Sequence, residues 1–148
     1  KKMKQSLIIF FLDFVSLQLF SQTSSEDNNI FRRAEVMPVF QECDDERFSE
    51  HPYRCTISQL SNFFRNTISV ANPLGLQTKC HLRFVVETDG SVSNINLVRG
   101  VVVDDPVIAE QLNNSIVQLA NNLNFISSGI NEGENVRVQI DFSVPVTY

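Results

Sequence analysis

The sequence is poor in the residues that metal sites and extended linkers require. Its 148 residues include no Trp, three Cys, two His, five Gly and five Pro. No Cys or His pair has C-x-x-C or H-x-x-x-H spacing, so we expect neither a zinc site nor any other cofactor. Beyond the N-terminus there is no cluster of Lys and Arg, which argues against nucleic acid as a partner. So few prolines leave no room for a long Pro-rich spacer.

The remaining composition is that of one globular domain. Hydrophobic residues make up 43% and charged residues 20%, close to the globular average. A chain of 148 residues can form one domain with its own core. The 12 basic and 17 acidic residues give a net charge of −5.

The N-terminal residues resemble an export signal. Lys1, Lys2 and Lys4 precede an apolar run over residues 7–20, which is typical of a secretory signal peptide. Asp13 interrupts the run, which is also shorter than the roughly 20 residues of a membrane span. We therefore predict a signal peptide over residues 1–22, with a short inner-membrane anchor and a buried helix as alternatives.

Residues 23–33 are predicted to be a flexible lead-in, and residues 34–148 the domain. Removal of the signal would lower the net charge to −7, since it takes away three Lys and one Asp. Export to the periplasm would also permit disulfides.

The first half of the domain alternates loops with regular elements. Residues 30–40 are predicted to be extended and interrupted by Pro38, and residues 41–54 to be a loop. Apolar residues at helical spacing predict a helix over residues 56–70. Residues 79–99 predict a β-hairpin with its turn at Asp89-Gly90. The apolar positions change from even to odd along its second strand, which predicts a β-bulge near Asn94.

A second helix and a final strand complete the pattern. Asp105 is a favourable N-cap and Pro106 fits the first helical position. The helix is expected to turn Asn113 toward water, and residues 136–144 alternate as a strand. The order predicts an α+β fold in which two helices pack on one face of a small antiparallel three-stranded sheet. The other face is polar and solvated.

Three stretches resemble the C-terminal domain of the TonB family, especially the forms found in Bacteroidetes. Residues 34–40 read AEVMPVF, close to EVMPxFPG in that group. Residues 82–92 read LRFVVETDGSV, close to VxFVVxxDGSV, and LVRG follows at 97–100. Residues 136–148 read VRVQIDFSVPVTY, close to VRVxFxxPVxF. Their order and spacing make the combination more specific than any one of them.

The resemblance implies a noncatalytic periplasmic module that binds a peptide of an outer-membrane transporter, or of another envelope protein, by strand addition. This sequence departs from the family at Gln41 and Glu42, where Pro and Gly are usual. The transmembrane anchor and Pro-rich spacer of energy-transducing members are also expected to be lacking. Strand exchange between two copies is a further partner hypothesis.

The last strand is the docking edge that the resemblance implies. An unpaired strand edge offers backbone N–H and C=O groups to a partner strand. The alternative is that the strand is only half-buried structure with a solvated polar face. The predicted edge strand consists of Asn135, Val136, Arg137, Val138, Gln139, Ile140, Asp141, Phe142, Ser143 and Val144.

The three cysteines have different expected roles. Some members of the family carry a Cys pair before the first helix, and in an exported protein we expect Cys43 and Cys55 to pair in the same way. Such a bond contributes about 3 kcal/mol by the chain-entropy argument. Cys80 is predicted to be a buried thiol on the inward face of a strand, directed away from His81.

Other readings have weaker support. The acidic run Glu42, Asp44, Asp45 and Glu46 lacks the spacing and central Gly of a calcium loop, so a solvated charge run is the better interpretation. His51 is expected to be an exposed loop residue. No Ser-His-Asp, Cys-His or carboxylate pair has a persuasive spacing, so we predict no enzyme. A secreted interaction or inhibitor-type protein of unrelated role remains the alternative.

Overall fold

The described residues form five strands and two helices. A computed structural model of the chain describes residues 29–41, 43, 50–71, 75 and 77–146. The elements are β1 (Ile30–Phe31), α1 (Pro52–Ala71), β2 (Thr78–Val86), β3 (Val92–Arg99), α2 (Pro106–Asn121), β4 (Gly129–Asn131) and β5 (Glu134–Val146). The predicted signal peptide and the acidic run Glu42, Asp44, Asp45 and Glu46 lie outside the described residues.

The sheet is larger than predicted and mixed. Its strand order is β1-β5-β2-β3, and β4 pairs with β5. The α+β class is confirmed, and β2, β3 and β5 form the three predicted antiparallel strands. The prediction is coarser than the structure, because β1 also pairs with β5 in parallel and β4 adds a short hairpin. Strands of two and three residues are too short to produce a recognisable alternation of apolar and polar side chains.

Helix α1 begins earlier than its apolar pattern suggests. It starts at Pro52, so the predicted loop over residues 41–54 is wrong at its last three residues. Pro is well suited to the first helical position, where its missing N–H would have no partner. Downstream, Leu60, Phe64 and Ile68 are fully buried, as their spacing predicts.

The hairpin of β2 and β3 has the predicted irregularity. The turn at Asp89-Gly90 is confirmed, and Gly90 has a φ of +84°. The pairing register shifts between Arg83 and Val85, and Asn94 on the facing strand has a φ of +49°. The predicted bulge near Asn94 is therefore confirmed.

Helix α2 has the predicted cap, but one residue of its predicted polar face, Asn113, does not face water. The Asp105 carboxylate accepts hydrogen bonds from the N–H groups of Val107 and Ile108, at 2.9 and 3.4 Å. Asn113, expected to face water, is half-buried, and its Oδ1 accepts the N–H of Val101 at 2.8 Å. That bond attaches the β3–α2 connection to the helix, so the prediction for Asn113 is wrong.

One core joins both helices to one face of the sheet. The even-numbered side chains from Cys80 to Val86 in β2 and from Ile140 to Val146 in β5 point into it, and the apolar stripes of α1 and α2 cover them. Its largest fully buried members are Leu60, Phe64, Ile68, Leu82, Phe84, Ile116, Ile140, Val86, Val144 and Val146. The placement of both helices on one face agrees with the sequence prediction.

Candidate functional site

Strand β5 has one fully paired edge and one edge that is covered only at its beginning. It pairs with β2 in an unbroken antiparallel register from Val86↔Val138 to Thr78↔Val146. On the opposite edge, β1 pairs with Arg137 and Val138. Within the part of the chain that the structure describes, no strand pairs with residues 139–146 on that edge. These residues are called the β5 free edge below.

The orientation of the β5 backbone follows from one hydrogen bond at the hairpin. The N–H of Glu87 donates to the C=O of Ser91 at 2.8 Å, so the odd-numbered residues at the end of β2 direct their backbone groups toward β3. The backbone groups of successive residues in a strand point to alternate sides. The N–H and C=O groups of the even-numbered residues of β2 therefore point toward β5. Even-numbered residues of β2 pair with even-numbered residues of β5, so the N–H and C=O groups of the even-numbered residues of β5 point toward β2. The free edge is therefore formed by the backbone groups of the odd-numbered residues Gln139, Asp141, Ser143 and Pro145.

Pro145 supports the same assignment. Proline has no N–H, and within sheets it occupies positions where no ladder donor is needed. Pro145 lies opposite Lys79, inside the β2–β5 ladder, so an orientation toward β2 would remove one of its bonds. Two N–H groups of the free edge, from Asp141 and Ser143, are open to a partner strand, because the parallel pairing of Phe31 with Val138 engages the N–H of Gln139 with the C=O of Phe31. The edge ends at Pro145, which can only accept.

The other edge of the sheet is less suited to strand addition. Strand β3 carries the bulge at Asn94, where positive φ interrupts the extended backbone. A bulge twists an edge strand and breaks the spacing that a partner strand needs. The β5 free edge has no such irregularity, because its register with β2 is continuous.

The ten predicted edge residues fall into three groups. Asn135 and Val136 lie opposite β4, and Arg137 and Val138 lie opposite β1. The other six, 139–144, lie on the free edge, which extends two residues further than predicted. Peptide binding by these residues stays a prediction.

The outward side chains of β5 form ion pairs with β2 and its extension. The Arg83 guanidinium lies 2.6 Å from the Asp141 carboxylate across the two strands. Arg137 donates two hydrogen bonds to Glu87, at 2.7 and 3.0 Å. Gln139 donates to Asp141 at 3.2 Å. Arg137, Gln139 and Asp141 therefore stabilise the solvent face of the sheet.

These contacts shift the pKa values of both carboxylates downward. Hydrogen bonding from Arg137 lowers the pKa of Glu87, and Ser93 adds a second hydrogen bond to the same carboxylate. The pKa of Asp141 is lowered chiefly by Arg83, with smaller contributions from Gln139 and from the charge of Arg32. Both carboxylates are thus held ionised at neutral pH.

The cysteines occupy the expected environments. Cys43 and Cys55 form a disulfide with a Cα–Cα distance of 5.6 Å, at the start of α1. Cys80 is fully buried and unpaired, and burial raises the pKa of its thiol to about 11. A thiol with that pKa is protonated at neutral pH and is a poor nucleophile.

A cavity of about 660 Å³ lies between the segment that follows β1 and the first turn of α1. Residues 32–37 form one wall and residues 50–54 form the other. The sequence gives no sign of this cavity, because its two walls are separated along the chain and neither has a periodic pattern. His51, predicted to be an exposed loop residue, is exposed and lines the cavity.

No group of three or more His, Cys, Asp or Glu side chains among the described residues could hold a metal ion. Of the two described helices, neither has the length and hydropathy needed to cross a membrane.

The chain was also compared with known proteins. No protein-family model matches it, and no curated protein does. The chain is similar to the NMR solution structure of the TonB C-terminal domain from Helicobacter pylori. The TM-score is 0.35 and the identity 15%, over 61% of this chain and 81% of that chain.

Proposed function

We propose that this protein is a noncatalytic periplasmic module that binds an extended peptide by strand addition to the β5 free edge. The peptide belongs to an outer-membrane transporter or to another envelope protein. The observation that carries the proposal is the backbone of residues 139–146, which forms a regular edge without a described partner strand beside an unbroken β2–β5 ladder. Such an edge is a template for a further strand.

Three other features support the proposal. The TonB-like motifs of the sequence cover the hairpin and β5, the strands that form the edge and its support. The core anchors β5 through Ile140, Phe142, Val144 and Val146, all buried, so the edge is rigid before a peptide arrives. A preorganised surface loses less entropy on binding. The Cys43–Cys55 disulfide is typical of proteins in oxidising compartments such as the periplasm.

An NMR titration tests the proposal. Uniformly labelled protein is titrated with synthetic peptides from the N-terminal segments of outer-membrane transporters, and backbone amide shifts are followed. We expect the shifts to concentrate at Asp141 and Ser143, whose N–H groups point toward the free edge and have no described strand opposite them. Absence of shifts at millimolar peptide, or shifts confined to β3, would contradict the proposal.

A proline variant identifies the edge directly. Ser143→Pro removes one outward N–H without interrupting the β2 ladder, whereas Ser143→Thr keeps the N–H and favours the strand. Loss of one net hydrogen bond, about 1 kcal/mol, weakens binding roughly fivefold. We expect this loss in the proline variant only, with both variants folded by their amide spectra. Equal affinity in the two variants would mean that the peptide binds elsewhere.

A further inference from the structure

The two walls of the cavity beside α1 are held in place by contacts outside it. On the first wall, Val36 exchanges two backbone hydrogen bonds with Ile130 of β4, at 3.0 and 2.9 Å. The second wall includes the first turn of α1, which the Cys43–Cys55 disulfide ties to the segment before the helix. These anchors keep the walls in position without a ligand between them. A preformed cavity loses little ordering entropy when a ligand enters it.

The cavity walls carry an excess of positive charge, although the chain as a whole has a net charge of −5. Arg32, Arg33 and Arg54 line the cavity together with Glu35 and Glu50. None of the three arginines forms an ion pair within 4.0 Å with a described carboxylate. Because Arg54 lies on the opposite wall from the other two, an anion between the walls meets guanidinium groups from both sides.

The cavity also has an apolar part. Val36 and Met37 line the first wall, and Pro52 and Tyr53 line the second. Val36 is 42% exposed, so its side chain is open to an apolar group in the cavity. The pKa of Tyr53 is raised chiefly by burial, so its hydroxyl keeps its proton at neutral pH and can donate to an anion. The volume of about 660 Å³ lies in the range of small-molecule sites.

We propose that the cavity binds a small amphipathic anion, whose carboxylate or phosphate group is held by Arg32, Arg33 and Arg54. The apolar part of the ligand lies against Val36 and Met37. The guanidinium group of arginine presents a planar fork of donors that matches both kinds of anionic group. The described residues that line the cavity include none of β5, so this site is separate from the free edge and does not depend on peptide binding there.

Four small probes test the inference. Phenylacetate and phenyl phosphate carry the two kinds of anionic group, phenylacetamide is the neutral counterpart, and inorganic phosphate lacks the apolar part. Each is titrated into uniformly labelled protein at low salt, and the amide shifts of residues 32–37 and 53–54 give the affinity. The wild type is compared with the Arg33→Gln/Arg54→Gln variant. The matched control is Arg99→Gln, which neutralises an exposed arginine at the end of β3 that does not line the cavity.

We expect phenylacetate, phenyl phosphate or both to shift amides on the two walls and to bind about fivefold more tightly than phenylacetamide and inorganic phosphate. The tighter of the two anionic probes identifies the anionic group of the ligand. The preference should disappear in the double variant, persist in Arg99→Gln and weaken with added salt.

Three results would overturn the inference. The first is that neither anionic probe binds more tightly than both comparison compounds, or that no probe shifts the wall amides at millimolar concentration. The second is that the preference survives in the Arg33→Gln/Arg54→Gln variant. The third is that Arg99→Gln removes it as well, which would make it an effect of net charge rather than of the cavity.

Discussion

The guanidinium of Arg137 forms a two-bonded ion pair with the carboxylate of Glu87, one residue beyond the end of β2. Both side chains are largely shielded, with 22% and 23% of their surfaces exposed. Arg137 also lies opposite Ile30 of β1, at the boundary of the β5 free edge. The ion pair therefore joins β5 to the end of β2 at the place where the free edge begins.

Removal of the Glu87 carboxylate is expected to destabilise the fold at neutral pH. Glu87→Gln should cost about 1 kcal/mol in the free energy of unfolding, because a charge-assisted pair is replaced by a weaker neutral contact. The pKa of Glu87 is lowered in the folded protein. Its contribution is therefore present above the unfolded-state pKa and is lost as the pH falls through the folded-state pKa.

Urea unfolding of the wild type and Glu87→Gln at pH 7 and at about pH 3 measures this effect. The difference between them should shrink at the lower pH, as Glu87 becomes protonated. Glu134→Gln, at an exposed position, is the control and should change stability little at either pH. A difference that is the same at both pH values would show that the ionised pair is not its source.

Gly90 is expected to be irreplaceable for two separable reasons. Its φ is +84°, and a Cβ at this position would lie 2.3 Å from the carbonyl oxygen of Phe125. The N–H of Phe125 donates to the carbonyl of Gly90 at 2.9 Å, so the two residues cannot move apart without losing that bond. Gly90→Ala should therefore cost about 3 kcal/mol, the sum of backbone strain and the clash.

Gly133→Ala separates the two contributions. Gly133 has a similar φ of +80°, but a Cβ there would meet no atom within 4 Å. We expect it to cost only about 1 kcal/mol, from backbone strain alone. Thermal or urea unfolding of both variants gives the comparison. Equal losses would mean that the contact between Gly90 and Phe125 contributes nothing.

The sequence was informative where one residue pattern determines an element. The apolar spacing of Leu60, Phe64 and Ile68 predicted the buried face of α1, and Asp105-Pro106 predicted the start of α2. The change of parity in the second hairpin strand predicted the bulge at Asn94. In each case local chemistry and periodicity act within a few residues, so no tertiary information was needed.

The parts that the sequence did not reveal depend on contacts between distant segments. Strands β1 and β4 exist because β5 pairs with them, and they are too short to show a period. Asn113 lies on the polar side of its helix by sequence, yet it bonds to Val101. The cavity requires residues 32–37 to pack beside the first turn of α1. Likewise, the direction of the Gln139 backbone could be assigned only from the hairpin hydrogen bond.

Thr56 is expected to stabilise the segment that precedes α1. Its hydroxyl is fully buried and accepts the backbone N–H of Phe40 at 3.0 Å. Thr56→Val keeps the shape of the side chain but leaves that N–H without an acceptor, which should cost about 1–3 kcal/mol. Thr67→Val is the control, since the Thr67 hydroxyl is exposed and bonds within its own helix. If both variants lose the same stability, the bond to Phe40 is not responsible.

Reduction of the Cys43–Cys55 disulfide should lower stability without unfolding the sheet. The bond closes a loop with a sequence separation of 12, for which chain entropy gives about 3 kcal/mol. The Cys43→Ser/Cys55→Ser variant should show this loss in urea unfolding and no further change with dithiothreitol. Wild-type protein in dithiothreitol should match the variant, whereas Cys80→Ala should keep its response to the reductant. Since the disulfide fixes the start of α1, reduction should also move the amide signals of Tyr53 and Arg54 but leave those of Ser143 in place. Movement at Ser143 would contradict this, because it would couple the free edge to the disulfide.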